Sequence, residues 1–185
     1  MKALFLKYKT VIRFLGFFFG SYLLLSFFYN LYLKQSQSDD YSVDFITHLV
    51  AEQTVAIVET LGYRVQLVPH ESEPAIRVIV EQEYVANIVE GCNAVSVIIL
   101  FVAFVVAFAQ RLKPTLLFLF SGAVLIYALN IIRIALFVIS LKTYPQYKDF
   151  LHDIAFPGVI YGVVFILWFF WVKRIPNKKN SSCVK

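Results

Sequence analysis

Four long apolar blocks, separated by polar segments, constrain this chain more than any other feature. They cover residues 14–33, 92–109, 115–141 and 153–172. A helix needs about 20 residues to cross the ~30 Å hydrocarbon core of a membrane. The chain is also 59% hydrophobic and only 16% charged, whereas soluble domains carry about 25% charged residues. The sequence therefore predicts an all-α integral membrane protein with four transmembrane helices.

The charged residues divide the chain between the two sides of a membrane. Ten of the 12 acidic residues lie within residues 39–90, whereas eleven of the 17 basic residues cluster in three segments without acidic residues. These eleven are Lys2, Lys7, Lys9, Arg13, Arg111, Lys113, Lys173, Arg174, Lys178, Lys179 and Lys185. Because Lys and Arg are retained in the cytoplasm, we predict cytoplasmic termini and an extracytoplasmic acidic segment. No basic patch interleaved with aromatic residues indicates nucleic-acid binding.

These boundaries predict four parts. They are a cytoplasmic N-terminus with the first transmembrane helix (1–33), an extracytoplasmic segment (34–91), a three-helix membrane core (92–172) and a basic cytoplasmic tail (173–185). The first apolar block is longer than the ~7–15-residue core of a signal peptide, so we expect it to remain uncleaved. Cys92 and Cys183 are predicted to lie on opposite sides of the membrane, where they cannot form a disulfide.

The extracytoplasmic segment has the pattern of a helix followed by a β-ribbon. Ile46, Leu49, Val50, Ile57 and Leu61 recur at helical spacing, and Gly62 follows as a C-terminal cap. This pattern predicts an amphipathic helix that lies on the membrane surface or on the other helices. Residues 63–68 then alternate as a strand, and residues 76–85 are predicted to pair with it across a turn. Because a two-stranded ribbon alone is marginally stable, we expect it to pack on the membrane helices.

Three chemically capable side chains from separate segments reach one depth in the membrane. At ~1.5 Å per residue, Cys92 lies ~26 Å and Arg133 ~27 Å from the cytoplasmic ends of their helices. His152 directly precedes the span 153–172 and so lies at ~30 Å. All three are predicted to meet at the outer membrane face. Cys92 and His152 are both predicted to lie at helix N-termini that point outward. At such a terminus the helix dipole favours the thiolate form of Cys92.

Each of these residues also has a purely structural interpretation. Arg133 interrupts an apolar run, so it needs a partner or a wet cavity unless it snorkels to the interface. A lone Cys is often a small buried hydrophobe, and His152 is also suited to a cap or surface position. His48 and His70 are the other candidate bases. Together, a thiol, an imidazole and a guanidinium form a workable set for acyl transfer, as nucleophile, proton carrier and oxyanion stabiliser.

Three motifs carry these residues in a fixed order. Glu90-Gly-Cys-Asn-Ala94, Asn130-Ile-Ile-Arg-Ile134 and His152-Asp153 resemble the nucleophile, Asn-x-x-Arg and His motifs of the exosortase/archaeosortase family of membrane-embedded cysteine proteases and transpeptidases. The resemblance covers roughly residues 84–172. It implies Cys92 as nucleophile, His152 as general acid/base and Arg133 as the group that stabilises the thiolate or oxyanion. Its supporting neighbours are Glu90, Asn93, Asn130 and Asp153.

The chain departs from the family pattern in two respects. Ala94 stands where the family usually has Gly, and about four spans replace the eight of many members, as in the compact F-type branch. The resemblance implies a bacterial inner-membrane enzyme whose active site faces the periplasm. Its substrates would be exported proteins with a C-terminal sorting signal, composed of a recognition motif, a hydrophobic helix and a basic end. The cleaved chain would pass to water or to an envelope glycan or lipid acceptor. No metal-ligand set or glycine-rich phosphate loop is visible, so no cofactor is expected.

Two other functions are compatible with the sequence. A non-enzymatic membrane partner of an envelope-polymer export or assembly system would use Cys92 only for packing and would tolerate Cys92→Ser. A small channel or transporter subunit would use Arg133 as an anion site, but it would need a pore, and the polar residues here cluster at one face. Neutralising Arg133 would then change ion flux and leave protein processing intact.

Overall fold

The computed structural model describes residues 8–36, 43–109 and 111–174. Its helices are α1 (Lys9–Ser36), α2 (Phe45–Thr60), α3 (Val95–Ala107), α4 (Leu112–Thr143) and α5 (Phe156–Lys173). The strands are β1 (Val65–Pro69), β2 (Ala75–Val80) and β3 (Glu83–Val89). Short turns complete it: 3-10 turns at Glu90–Cys92 and Pro145–Tyr147, one α-helical turn at Lys148–Phe150 and a π-helical turn at Leu151–Ala155. The ends of the chain, with the predicted tail and Cys183, lie mostly outside these residues.

Three helices of the described residues are long and apolar enough to cross a membrane. They are Val11–Ser36, Leu112–Thr143 and Pro145–Lys173. Their outer surfaces expose large apolar side chains, among them Leu23, Phe120 and Phe165, as expected of helices in contact with lipid rather than water. The structure is therefore that of a mostly helical integral membrane protein.

The second predicted span, residues 92–109, contains a shorter helix than the sequence predicted. Helix α3 has 13 residues and so covers only about 20 Å, less than the ~30 Å hydrocarbon core. It contacts α1, α4 and α5, and Phe101, Ala103 and Val105 are completely buried. The predicted count of four membrane-spanning helices is thus not confirmed, because the fourth apolar helix is too short by length alone.

The predicted pairing of the two segments is present as β1 with β2, but the ribbon is not two-stranded, because the described residues contain a third strand. The sheet is antiparallel in the order β1-β2-β3. The run predicted as one strand, residues 76–85, reverses at Glu81 and Gln82, whose φ angles are 51° and 69°. Two consecutive residues with positive φ form the tight hairpin that suits the twist of the strands. Asn-Gly or Asp-Gly usually announces such a turn, and Glu-Gln does not.

The sheet packs on the membrane helices. This was expected, because so small a sheet is only marginally stable by itself. Its inner face shares a buried cluster with α2 and α4, formed by Val50, Ala51, Ile76, Val78, Val80, Ile88, Ile134 and Val138. A second cluster joins Ala94 with residues of α3, α4 and α5: Phe101, Val105, Ile126, Val164 and Trp171. The end of β3 and the start of α3 therefore lie between two cores.

Helix α2 forms where it was predicted but buries a different face. Asp44 caps its N-terminus by accepting hydrogen bonds from Ile46 N and Thr47 N, and Gly62, with φ +94°, follows its C-terminus. The buried residues are Thr47, Val50, Ala51, Thr54 and Val58. Of the predicted apolar face only Val50 is fully buried. The reason is that two of the buried residues are threonines. Polar residues on the inner face interrupt the apolar pattern from which a buried face is predicted.

Candidate active site

Cys92 lies at the end of a 3-10 turn that continues directly from β3. It is half-buried and forms no disulfide within the described residues. The prediction that Cys92 opens a transmembrane helix is wrong, since α3 begins three residues later at Val95. Ala94 separates the two by adopting a left-handed conformation, with φ 61° and ψ 2°. That conformation costs a residue other than glycine about 1 kcal/mol or more.

Arg133 lies on α4, three residues after Asn130 and therefore on the same side of the helix. Its Nη1 donates a hydrogen bond of 3.3 Å to Asn130 Oδ1. No carboxylate of the described residues forms an ion pair with it. Its guanidinium is close enough to Cys92 and Tyr161 for electrostatic interaction. The polar partner expected for an arginine in an apolar helix is thus an amide and not an acid.

His152 lies within the π-helical turn Leu151–Ala155. Its predicted position at a helix N-terminus is wrong, because helical structure begins before it, at Pro145–Tyr147 and Lys148–Phe150. Its Nδ1 lies 2.7 Å from Asp153 Oδ1, and its ring contacts Phe137 at a centroid distance of 5.7 Å. An Nδ1–H donated to Asp153 leaves Nε2 as the proton acceptor. π-Helical turns of this kind are frequent at functional sites.

One cavity brings the three predicted residues together. Its volume is about 30 Å³, and Cys92, Arg133 and His152 all line it. The other lining residues are Ala86, Asn87, Ile88, Ile134, Phe137, Val138 and Phe156. The two other histidines do not line it: His48 is exposed beside Glu52 at 3.6 Å, and His70 lies 3.3 Å from Arg77 on the sheet.

Asn130 connects the predicted nucleophile segment (Glu90–Ala94) to Arg133. Its Nδ2 donates a hydrogen bond of 2.7 Å to the backbone carbonyl of Cys92, while its Oδ1 accepts one from Arg133. The side chain is almost fully buried, with 1% exposure. A cysteine held beside a guanidinium, with an imidazole across one cavity, has the groups required for nucleophilic acyl transfer.

The family model described as transmembrane exosortase matches residues 6–171, nearly the whole chain. The chain belongs to the transmembrane exosortase family. The comparisons with curated proteins and with solved structures found no significant match.

Asn93 anchors a buried network that the sequence did not predict. Its Nδ2 donates to Tyr29 Oη at 2.8 Å and to Thr47 Oγ1 at 3.1 Å, and its Oδ1 accepts from Val95 N at 3.0 Å. Thr47 in turn donates to Asp44, which also accepts from the Tyr32 hydroxyl at 3.2 Å. The residue after Cys92 is thereby fixed to α1 and α2. A capping signal at Asp44 was available in the sequence, but no local pattern marks Thr47 or Tyr29.

Glu90 and Asn87 both precede Cys92 but differ in their relation to the cavity. Glu90 begins the 3-10 turn and does not line the cavity. Asn87, on β3, does line it, and sequence reasoning missed it because its strand alternation resembles that of any solvent-facing residue. Among the described residues, no group of three His, Cys, Asp or Glu side chains converges as metal ligands would.

Proposed function

We propose that this chain is a membrane-embedded cysteine protease or transpeptidase that cleaves C-terminal sorting signals of exported proteins. The observation that supports the proposal most strongly is the cavity lined by Cys92, Arg133 and His152. These residues come from a turn after β3, from α4 and from the π-helical turn before α5. Simple packing gives no reason for three reactive groups to meet in one small cavity that is otherwise lined mainly by apolar side chains.

The first step transfers the substrate acyl group to the cysteine. The Cys92 thiolate attacks the scissile carbonyl carbon, and the negative charge that develops on the carbonyl oxygen is stabilised by Arg133. The carbon–nitrogen bond then breaks, and the leaving amine takes a proton from the His152 imidazolium. Asp153 keeps the His152 ring in one orientation through its contact with Nδ1. The product is a thioester between Cys92 and the upstream part of the substrate.

The second step releases that acyl group. Neutral His152 takes a proton from an incoming nucleophile, which attacks the thioester carbon, and the Cys92 thiolate leaves. Water as the nucleophile gives hydrolysis, whereas a hydroxyl or amine of an envelope glycan or lipid gives transpeptidation. No bound metal or cofactor takes part in either step.

The membrane determines which substrate bond reaches the cysteine. In this proposal the enzyme lies in a bacterial inner membrane with its termini in the cytoplasm and its site at the periplasmic face. The hydrophobic helix of the sorting signal lies in the lipid beside the enzyme, and its basic end remains in the cytoplasm. The bond just outside the substrate helix then lies at the level of Cys92.

The test is to replace Cys92 by Ala in the source cell and to map the C-termini of envelope proteins by mass spectrometry. We expect proteins with a C-terminal helix and basic end to retain that tail only in this variant. Cys183→Ala is the matched control and should leave every C-terminus processed. If the stably present Cys92→Ala protein leaves all C-termini unchanged, the proposal fails. The chain would then act as a non-enzymatic membrane partner, for which Cys92→Ser should also be tolerated.

A further inference from the structure

Two buried polar atoms at the active cavity have no hydrogen-bond partner within the part of the chain that the structure describes. They are Arg133 Nε, an N–H donor, and Asn87 Oδ1, a carbonyl acceptor. Both residues line the cavity that contains Cys92. Leaving such a group unpaired costs about 1–3 kcal/mol, and buried polar groups of folded proteins are generally paired. Both atoms have almost no accessible surface, so a molecule in the cavity pairs with them only when the two side chains turn toward it.

The two atoms have the polarity of a site for a single amide group. A peptide bond presents one carbonyl oxygen, which needs a donor, and one N–H, which needs an acceptor. The cavity of about 30 Å³ has room for roughly two water molecules and therefore admits a group as small as an amide. Its lining residues Asn87 and Arg133 offer one acceptor and one donor to such a group.

The position of Asn87 shows how a peptide would approach. Strand β3 is at the edge of the sheet, with β2 on one side and no further strand on the other among the described residues. It leads directly into the turn Glu90–Cys92, and its residues Ala86, Asn87 and Ile88 line the cavity. An extended peptide beside a free strand edge is a common recognition mode for proteins. A segment lying along β3 passes Asn87 before it reaches Cys92.

We propose that Asn87 is a substrate-binding residue whose side-chain carbonyl accepts a hydrogen bond from a backbone N–H of the substrate at the scissile bond. Arg133 Nε donates to the carbonyl of the same peptide group. The ligand is an extended peptide backbone, so this subsite selects the amide and not a particular side chain. The inference rests on the proposed function, because it supplies the peptide substrate.

A reagent that carries an amide tests the subsite without knowledge of the substrate sequence. Iodoacetamide forms a bond from Cys92 sulfur to its methylene carbon as iodide leaves, and its carboxamide has the same donor and acceptor as a peptide group. Methyl methanethiosulfonate reacts with the same thiolate, forms a disulfide and releases methanesulfinate, and it has no amide. The ratio of the two modification rates at Cys92 therefore depends on amide binding. A change in the reactivity of the thiol affects both rates and leaves the ratio unchanged.

The experiment uses the purified full chain in detergent, with Cys183→Ser so that only Cys92 reacts. Asn87→Leu, which has a similar shape and no acceptor, should lower the iodoacetamide-to-thiosulfonate ratio about 10-fold, as expected for the loss of one hydrogen bond. Asn87→Asp retains an acceptor oxygen and should restore the ratio to within about 2-fold of the starting protein, even if both rates fall together.

Two outcomes would overturn the inference. If both rates in Asn87→Leu stay at their starting values, Asn87 does not bind amides. Equal slowing of both reagents in Asn87→Leu, with the ratio constant, means that the residue only supports the turn at Cys92. Neither outcome bears on whether Cys92 processes proteins, which the mapping of C-termini decides independently.

Discussion

The side-chain amide of Asn130 donates a hydrogen bond of 2.7 Å to the backbone carbonyl of Cys92. The same amide accepts a hydrogen bond from Arg133. One buried side chain on α4 therefore sets both the position of the cysteine backbone and the direction of the guanidinium. Since catalysis depends on sub-ångström placement of reacting groups, Asn130 is a positioning residue in the proposed reaction.

Replacing Asn130 by Leu removes both hydrogen bonds while nearly conserving volume. We expect the rate of C-terminal processing to fall about 10- to 100-fold, because two positioning contacts of ~1–1.5 kcal/mol each are lost. The fraction of retained C-terminal tails, measured at equal protein abundance, checks this. Asn30→Leu is the control, since Asn30 is exposed on α1 and bonds only to the carbonyl of Ser26. Equal processing in the two variants would show that Asn130 has no positioning role.

Thr47 and Thr54 form a matched pair on α2. Both are buried, with 0% and 1% exposure, but Thr47 bonds to Asn93 and Asp44, whereas Thr54 Oγ1 has no partner among the described residues. Thr47→Val should lower the free energy of unfolding by about 1–3 kcal/mol, because two buried polar groups lose a partner. Thr54→Val should be neutral or slightly stabilising.

Chemical unfolding in detergent measures this difference, and the alkylation rate of Cys92 gives a second readout. Thr47→Val should alter the alkylation rate because Asn93 directly follows the cysteine, and Thr47→Ser should restore it. If both valine variants lose the same stability and leave the alkylation rate constant, the network does not hold the nucleophile segment.

Gly122 permits the close approach of α4 to α3. A methyl group there would meet Phe101 Cζ at 2.3 Å and Cε1 at 2.7 Å, and Phe101 is completely buried. We expect Gly122→Ala to destabilise the protein by about 1–3 kcal/mol through overpacking, in line with the use of small residues between membrane helices. Phe101→Leu should partly rescue it.

Gly162→Ala provides the control for Gly122→Ala, because no atom lies within 4 Å of a methyl group at Gly162 on α5. It should stabilise the protein by roughly 0.5–1 kcal/mol through helix propensity. If the two alanine variants have the same unfolding midpoint, the close approach of α3 and α4 is disproved.

The meeting of Cys92, Arg133 and His152 was predictable because helix rise alone fixes depth. The predicted depths used only the ends of three apolar runs and did not depend on how the helices pack. The three residues line one cavity even though the local geometry of Cys92 and His152 differs from the prediction. The predicted depth of a residue changes little when its helix begins three residues later or one turn earlier. These two differences therefore did not alter the prediction that the three residues meet.

The details that failed depend on backbone conformation or on distant partners. A left-handed Ala94 and a Glu81-Gln82 turn contradict ordinary residue preferences, so a single sequence gives no reason to expect them. Asn93 and Tyr29 are 64 residues apart, and their contact exists only once α1 and the nucleophile segment have packed. Asn87 is recognisable only when the cavity shows that its carbonyl lacks a partner.

Asp153 should affect the reaction through His152 rather than through stability. Asp153→Asn weakens the preference for an Nδ1–H on His152, so Nε2 is less often the nitrogen that accepts a proton. Both side chains are more than half exposed, at 58% and 69%. We therefore expect processing to fall only about 10-fold, far less than the ~10⁴-fold loss for a buried triad. Asp149→Asn, an exposed acid one turn earlier, is the control and should process normally. Quantifying retained C-terminal tails in both variants checks this, and equal processing would mean that His152 works without its neighbouring carboxylate.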